Sequence, residues 1–182
     1  MSQIIVKTRI IPKKITENIV SRQRLYKKFE ENASKNIILV IGPAGYGKTT
    51  SVLDYLNSSG KKYAWLYLSP DIDNPSVLLS YLIHSLRELN GSFGENTLEL
   101  ISSLAANDMF TREAGTSINI VIGSFVNEFV TDFAEDITLV IDDLHNIEDS
   151  GWTNDIFNAL NDNFPDNLHI IFTTRSTPGF NM

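Results

Sequence analysis

One stretch constrains this chain more than any other: Gly42-Pro43-Ala44-Gly45-Tyr46-Gly47-Lys48-Thr49-Thr50. Its first eight residues satisfy G-x-x-x-x-G-K-[ST] in full. The stretch follows Ile37-Ile38-Leu39-Val40-Ile41, a continuous apolar run of the kind buried on both faces in a parallel sheet. A helix is expected after it, from Lys48 to about Ser58, with Gly60 as its stop. Strand, glycine-rich turn and helix in that order make an anion cradle. Gly45 and Gly47, flanking Tyr46, can take φ > 0 and turn successive N–H groups inward. The helix start adds free N–H groups and partial positive charge. The spacing gives Gly42 to Thr50 a phosphate, Lys48 its β and γ groups, Thr50 its α group, and the Thr49 hydroxyl a Mg²⁺ ion. The competing reading is a glycine turn with a chance lysine, and the strand-to-helix placement weighs against it.

The rest of the 182 residues alternates in the same way. Residues 1–20 look extended. Ser21 is placed to cap a helix carrying Leu25 and Phe29. Tyr63 to Leu68 reads as a second strand, and Asn74-Pro75 as the cap and first residue of a helix running to about Leu89. Shorter helical spacing covers Thr97 to Ala105, then a polar stretch leads to a helix over Ser117 to Ala134. Ile137 to Ile141 is a third buried strand, 155–164 a helix, and His169 to Thr173 a fourth strand. Such alternation predicts an α/β sandwich around a parallel sheet.

Composition closes other routes. With 42% hydrophobic and 20% charged residues the chain can bury a core, and no apolar run approaches a membrane span. The first 30 residues lack a signal-peptide core, so a cytoplasmic, membrane-free protein is expected. Absent cysteine excludes disulfides and thiolate chemistry, and the three histidines have no zinc spacing. Residues 1–35 hold nine Lys or Arg against three acids, whereas 36–182 hold six against nineteen. That divides the chain into a basic arm with a first helix (1–35) and an acidic core (36–182). The acidic core is a poor surface for a phosphate backbone. The arm reads as a solvated segment or a flank of the nucleotide pocket, with nucleic-acid contact the less favoured reading.

Two further clusters carry chemistry. Asp142-Asp143 follow the third strand. Beside a phosphate loop, Asp142 is expected in the Mg²⁺ shell and Asp143 as the group that orients or deprotonates the attacking water. Neighbouring side chains on a strand point to opposite faces, so the two are expected to differ in role. A solvated turn is the alternative. Thr173-Thr174-Arg175 end the fourth strand, where a hydroxyl and a cation can sense a terminal phosphate; a surface arginine is the alternative. Trp65, Tyr67 and His84 read as packing, and His145 as a structural histidine.

Together these residues resemble the nucleotide-binding domain of MalT-like regulators, within the signal-transduction ATPases with numerous domains (STAND), many of which carry a LuxR-type DNA-binding module. The likeness runs through Ile11-Pro12-Lys13-Lys14, Val20-Ser21-Arg22-Gln23-Arg24-Leu25, the GPAGYGKTT loop, Ala64 to Leu68 with Asp73-Asn74-Pro75, the Leu139 to His145 acidic strand, and Phe172 to Ser176. The resemblance implies a P-loop NTPase sandwich of strand order 5-1-4-3-2, with Val20 and Arg22 near the adenine and Arg175 as sensor arginine. Family members are far longer, so the resemblance implies a fragment lacking the fifth strand, the lid domains, the inducer-sensing repeats and any DNA reader, with the first strand an open edge able to self-associate. Ser69-Pro70 stand where the family more often has an acid. The expected ligands are ATP or ADP with Mg²⁺, there being no N/T-K-x-D guanine signature. The expected function is a slow ATPase switch in a signal-responsive transcriptional regulator; a non-catalytic ADP-holding scaffold and a small-molecule kinase are the alternatives.

Overall fold

The computed structural model describes residues 4–14, 20–147 and 150–180. In chain order its elements are α1 (Gln23–Glu31), β1 (Ile37–Ile41), α2 (Lys48–Ser59), β2 (Tyr63–Tyr67), α3 (Pro75–Leu86), α4 (Glu95–Ala106), α5 (Met109–Arg112), α6 (Ala114–Asp132), β3 (Ile137–Asp142), α7 (Gly151–Asp162) and β4 (Leu168–Thr174). Two 3-10 turns, Lys7–Arg9 and Leu144–Asn146, complete them.

The strands pair in parallel in the order β1-β4-β3-β2. β4 therefore lies between the strand that enters the glycine loop and the strand that ends in the acid pair, as the resemblance implies. The five-strand order 5-1-4-3-2 is not reproduced as such: four strands are present among the described residues, and β1 is an edge.

The sheet is hydrophobic on both faces because its residues alternate between two cores. Ala64, Leu66, Leu139, Ile141, Ile170 and Phe172 face a large cluster with α3, α4, α6 and α7. Trp65, Val140 and Ile171, one residue out of phase, face a smaller cluster built from Phe29 of α1 and Val52, Leu53, Tyr55 and Leu56 of α2. Period-two alternation with apolar residues in both phases is what makes the runs continuous in sequence.

Several helix limits differ from the sequence expectation, each for a local reason. Ser21 does not cap α1; the N-cap is Arg22, whose side chain is instead drawn to the glycine loop. α3 starts as expected, with the Asn74 side chain accepting from Val77 N. It stops at Leu86, where Arg87 Nε donates to Phe93 O at 2.6 Å. α4 begins at Glu95 because a distant residue caps it: Glu128 of α6 accepts from Asn96 N and Thr97 N at 3.1 and 3.0 Å. The stretch read as polar and irregular contains the short α5. α6 starts at Ala114 and ends at Asp132, and α7 starts at Gly151. The segment read as extended includes the Lys7–Arg9 turn; residues 1–3 and 15–19 lie outside the described part.

Gly94 precedes α4 at φ +71°, and a Cβ there would run into the buried Ile83 side chain. Gly94→Ala is expected to cost about 2 to 4 kcal/mol in urea unfolding, from left-handed strain plus overpacking. Gly91→Ala, at an open site, is expected to cost much less. Equal losses in the two variants would contradict this packing.

Candidate nucleotide site at the carboxyl edge of the sheet

β1 delivers the chain to Gly42, whose N–H donates to Thr174 O of β4 at 3.2 Å. The loop then turns through Gly45 and Gly47, both at φ +78°. Those values are open to glycine and costly for other residues. Gly47 is the N-cap of α2 and no side chain caps that helix. The first backbone bond into it comes from Ser51 N to Gly47 O at 2.9 Å. The Lys48, Thr49 and Thr50 amides therefore start the helix without a side-chain acceptor, the arrangement that takes up an anion. Lys48 folds its ammonium back over the loop, donating to Gly42 O at 2.8 Å and Pro43 O at 3.3 Å. Arg22 Nη1 donates to Tyr46 O at 3.2 Å and so pins the exposed crest of the loop to the start of α1.

Behind the loop is a buried carboxylate. Asp142, 2% exposed, ends β3. The Thr49 hydroxyl donates to it at 2.9 and 3.1 Å, and the Thr173 hydroxyl at 2.5 Å. Burial pushes its pKa above the usual carboxylate range; the Thr173 and Thr49 bonds act against that push, neighbouring Asp143 adds to it, and Lys48 opposes it. Asp143 follows at φ +60°, with its N–H donating to Thr173 Oγ1 at 3.0 Å. The expectation that the two acids diverge needs correcting. The strand ends at Asp142, and the left-handed turn at Asp143 brings both carboxylates to the wall of one groove of about 370 Å³. A non-glycine residue in that conformation stores about 1 to 3 kcal/mol. His145 Nδ1 lies 3.8 Å from Asp143 Oδ1.

That groove also takes in Thr49, Thr50 and Tyr67, and, from the basic arm, Lys13 and Lys14. The sequence alone assigns these two lysines no role. The signal available was the excess of positive charge in residues 1–35, but not its destination. Trp65 and Tyr67, both expected as packing, line this groove, and Trp65, 3% exposed, is also part of the smaller core. A larger groove of about 660 Å³ runs along the open edge of β1, past Lys48, Gly47, Tyr46 and Arg22. The loop is thus the partition between the two. Arg175 leaves the end of β4 exposed to solvent. Val20 is 86% exposed and lines neither groove.

The site's residues fit a magnesium–nucleotide pair. The glycine loop and uncapped helix start suit phosphate, and a threonine hydroxyl against a carboxylate is a hard-oxygen donor set suited to Mg²⁺.

Comparison with known proteins bears on the same stretch. The family profile described as "Nephrocystin 3, N-terminal" matches residues 16–175, from the arm through β4. The chain belongs to this family. Among curated proteins it is 30% identical over 179 residues to the HTH-type transcriptional regulator MalT of Serratia proteamaculans, covering 93% of this chain and 18% of that protein. MalT of Vibrio cholerae is 25% identical over 173 residues, covering 92% of this chain. The serine/threonine-protein kinase PknK of Mycobacterium tuberculosis is 28% identical over 175 residues, covering 94% of this chain and 15% of that protein. The chain thus spans less than a fifth of the length of these relatives. The resemblance to MalT-like regulators read from the motifs is a true one. No helix among the described residues is long and apolar enough to cross a membrane.

The raised Asp142 pKa has a defined sign in stability. Its contribution is present in full below the usual aspartate range and is lost as pH rises through the raised folded value. Asp142→Asn stays neutral throughout. In nucleotide-free protein its Tm is expected to match wild type near about pH 4 and to exceed it by a few degrees at neutral pH. A variant that is less stable at neutral pH would show that the two threonine bonds outweigh the cost of burying the charge.

Proposed function

We propose that this member of the nephrocystin 3 N-terminal family is the nucleotide switch of a larger signal-responsive transcriptional regulator, binding ATP or ADP with Mg²⁺ and hydrolysing ATP slowly. One observation carries the reading: the hydrogen-bonded chain from Thr49 through Asp142 and Thr173 to the Asp143 N–H, which ties the helix start after the glycine loop to the ends of β3 and β4. It couples what occupies the loop to the geometry at the strand ends.

In this reading the amides from Gly42 to Thr50 cradle the phosphates. The Lys48 ammonium leaves the Gly42 and Pro43 carbonyls for the β- and γ-phosphates, and Thr50 donates to the α-phosphate. Thr49 and Asp142 hold Mg²⁺, which when bound neutralises charge on the β- and γ-oxygens. Asp143 orients a water for in-line attack on the γ-phosphorus. A new P–O bond forms to the water oxygen, the bond to the β-bridging oxygen breaks, and the water proton passes through Asp143 to solvent or product phosphate. Arg175 approaches the γ-phosphate from the end of β4, and Val20 and Arg22 flank the adenine. Lacking an arginine supplied by a partner, such a site turns over at about 10⁻⁴ to 10⁻² s⁻¹. Inducer recognition and DNA reading are assigned to parts of the protein beyond this chain, and self-association to the open edge of β1.

The test is calorimetric binding and turnover with ATP, ADP and GTP in the presence of Mg²⁺, for wild type, Lys48→Ala and Asp143→Asn. Adenine-selective binding that falls by about 100-fold or more in Lys48→Ala is expected, from the loss of charge-assisted bonds to two phosphates. Asp143→Asn is expected to keep binding and lose hydrolysis. Tight ADP without turnover in wild type would replace the switch by a scaffold that holds nucleotide. Unchanged binding in Lys48→Ala would overturn the site.

A further inference from the structure

The basic arm is fixed to the body by contacts that have nothing to do with the glycine loop. Ile10 is 4% exposed and belongs to the large core. Arg9 pairs with Asp71 at 2.5 Å, donates to the Tyr81 hydroxyl at 3.3 Å, and lies 5.4 Å from the Tyr81 ring centroid. The same hydroxyl accepts from Val6 N at 3.3 Å, and Tyr81 is 2% exposed. The Ser69 hydroxyl and Arg9 hold the Asp71 carboxyl down at about 2, so the anchor stays charged across the physiological range. Ser69, where the resembled family more often has an acid, is thereby part of the anchor, donating to Asp71 at 2.6 Å.

From that anchor the chain runs through Pro12, whose ring fixes φ, to Lys13 and Lys14. Lys13 Nζ stands 5.5 Å above the centre of the Tyr67 ring. Tyr67 is the register partner of Asp142 on the adjacent strand. Both lysines line the groove that holds Thr49, Thr50 and the two carboxylates. Among the described residues neither forms an ion pair with those carboxylates. Two exposed lysines are thus brought by the anchored strap to the β2 side of the site, into the same groove as Thr49 and the two aspartates. A third phosphate carries the charge that distinguishes ATP from ADP, and it extends to the Thr49–Asp142 side of the loop.

We infer that Lys13 and Lys14 read the terminal phosphate of ATP, so that the anchored arm Val6–Lys14 makes the site prefer ATP over ADP. The inference rests on the proposed reading of the site as one for magnesium nucleotides. Lys48 reaches the β-phosphate that both nucleotides carry as well as the γ-phosphate, whereas the arm lysines touch only the third. The arm therefore sets the ATP-to-ADP affinity ratio rather than binding itself, and any force that lifts it from Asp71 and Tyr81 turns the module towards ADP.

The experiment is a calorimetric titration of the purified chain with ATP and with ADP, each with excess Mg²⁺ at neutral pH. Wild type is compared with Lys13→Ala/Lys14→Ala, Lys13→Arg/Lys14→Arg, Lys27→Ala and Lys48→Ala, with Tm recorded for each. The double alanine variant is expected to bind ATP about tenfold more weakly, the effect of losing one or two partly exposed charge-assisted bonds, with ADP changed less than about twofold and Tm unchanged. The double arginine variant is expected to keep the wild-type ratio, as is Lys27→Ala on an exposed helix face. Arg9→Ala, which frees the strap without removing a lysine, is expected to shift the ratio in the same direction by a smaller factor. Equal losses for ATP and ADP, or no loss for either, in a protein where Lys48→Ala still abolishes both, would overturn the arm's role and leave the site intact. Retained binding in Lys48→Ala would instead overturn the nucleotide site on which the inference stands.

Discussion

The Asp142 carboxylate is the contact on which the geometry of the site depends. It is buried at the end of an interior strand and receives hydroxyl bonds from the helix that follows the glycine loop and from the strand next to β1. Burying a carboxylate costs several kcal/mol, and two hydroxyl bonds return only part of that. A fold selected for stability alone would place an apolar residue there, as it does at Ile141 and Phe172 one strand apart in the same sheet. The energetic cost is tolerable because the surrounding sheet is buried on both faces and supplies its stability elsewhere. In the proposed reading, what the cost gives is a charged group held where a cation and a phosphate chain can share it.

The sheet order explains why the remaining parts meet there. β4 lies between β1 and β3, so the hydroxyl of Thr173 stands midway between the loop and the acid pair. All four strands are parallel, so every functional side chain arrives at one edge. β2 on the far side carries Tyr67, and the arm crosses to it because Ile10 finds a place in the large core and Arg9 finds Asp71. The site therefore gathers cations from two directions, Lys48 from the loop and Lys13 and Lys14 from the arm, around the aspartates. Such an arrangement is balanced for a ligand that brings its own negative charge together with a divalent ion.

The parallel sheet and the loop were legible in the sequence because both have local signatures. Four apolar runs with residues in both phases demand burial on both faces, and the glycine spacing is unusable except at a strand-to-helix turn. The strand limits agree with the reading to within a residue. What the sequence hid depends on contacts between distant residues. Ser21 has the right chemistry for a cap, but Arg22 is held by Tyr46, 24 positions away, and the helix starts one residue later. The start of α4 is set by Glu128, 31 positions beyond Thr97. For the two acids at the strand end, opposite directions follow from strand alternation, and no local signal announces the positive φ of Asp143 that puts both on one groove. Lys13 and Lys14 belong to a charge-rich segment with no periodicity, so nothing local could tell a solvated arm from one strapped over the site by Ile10 and Arg9.

Phosphates are proposed to occupy the loop between Gly42 and Thr50 rather than the larger groove along β1. The most direct measurement is an amide-resolved NMR titration of the chain with ADP and Mg²⁺. The largest shifts are expected on the N–H groups of Gly45, Gly47, Lys48 and Thr49, because those amides exchange solvent for phosphate oxygen. Shifts confined to α1 and to the outer edge of β1, with the glycine loop unmoved, would contradict it.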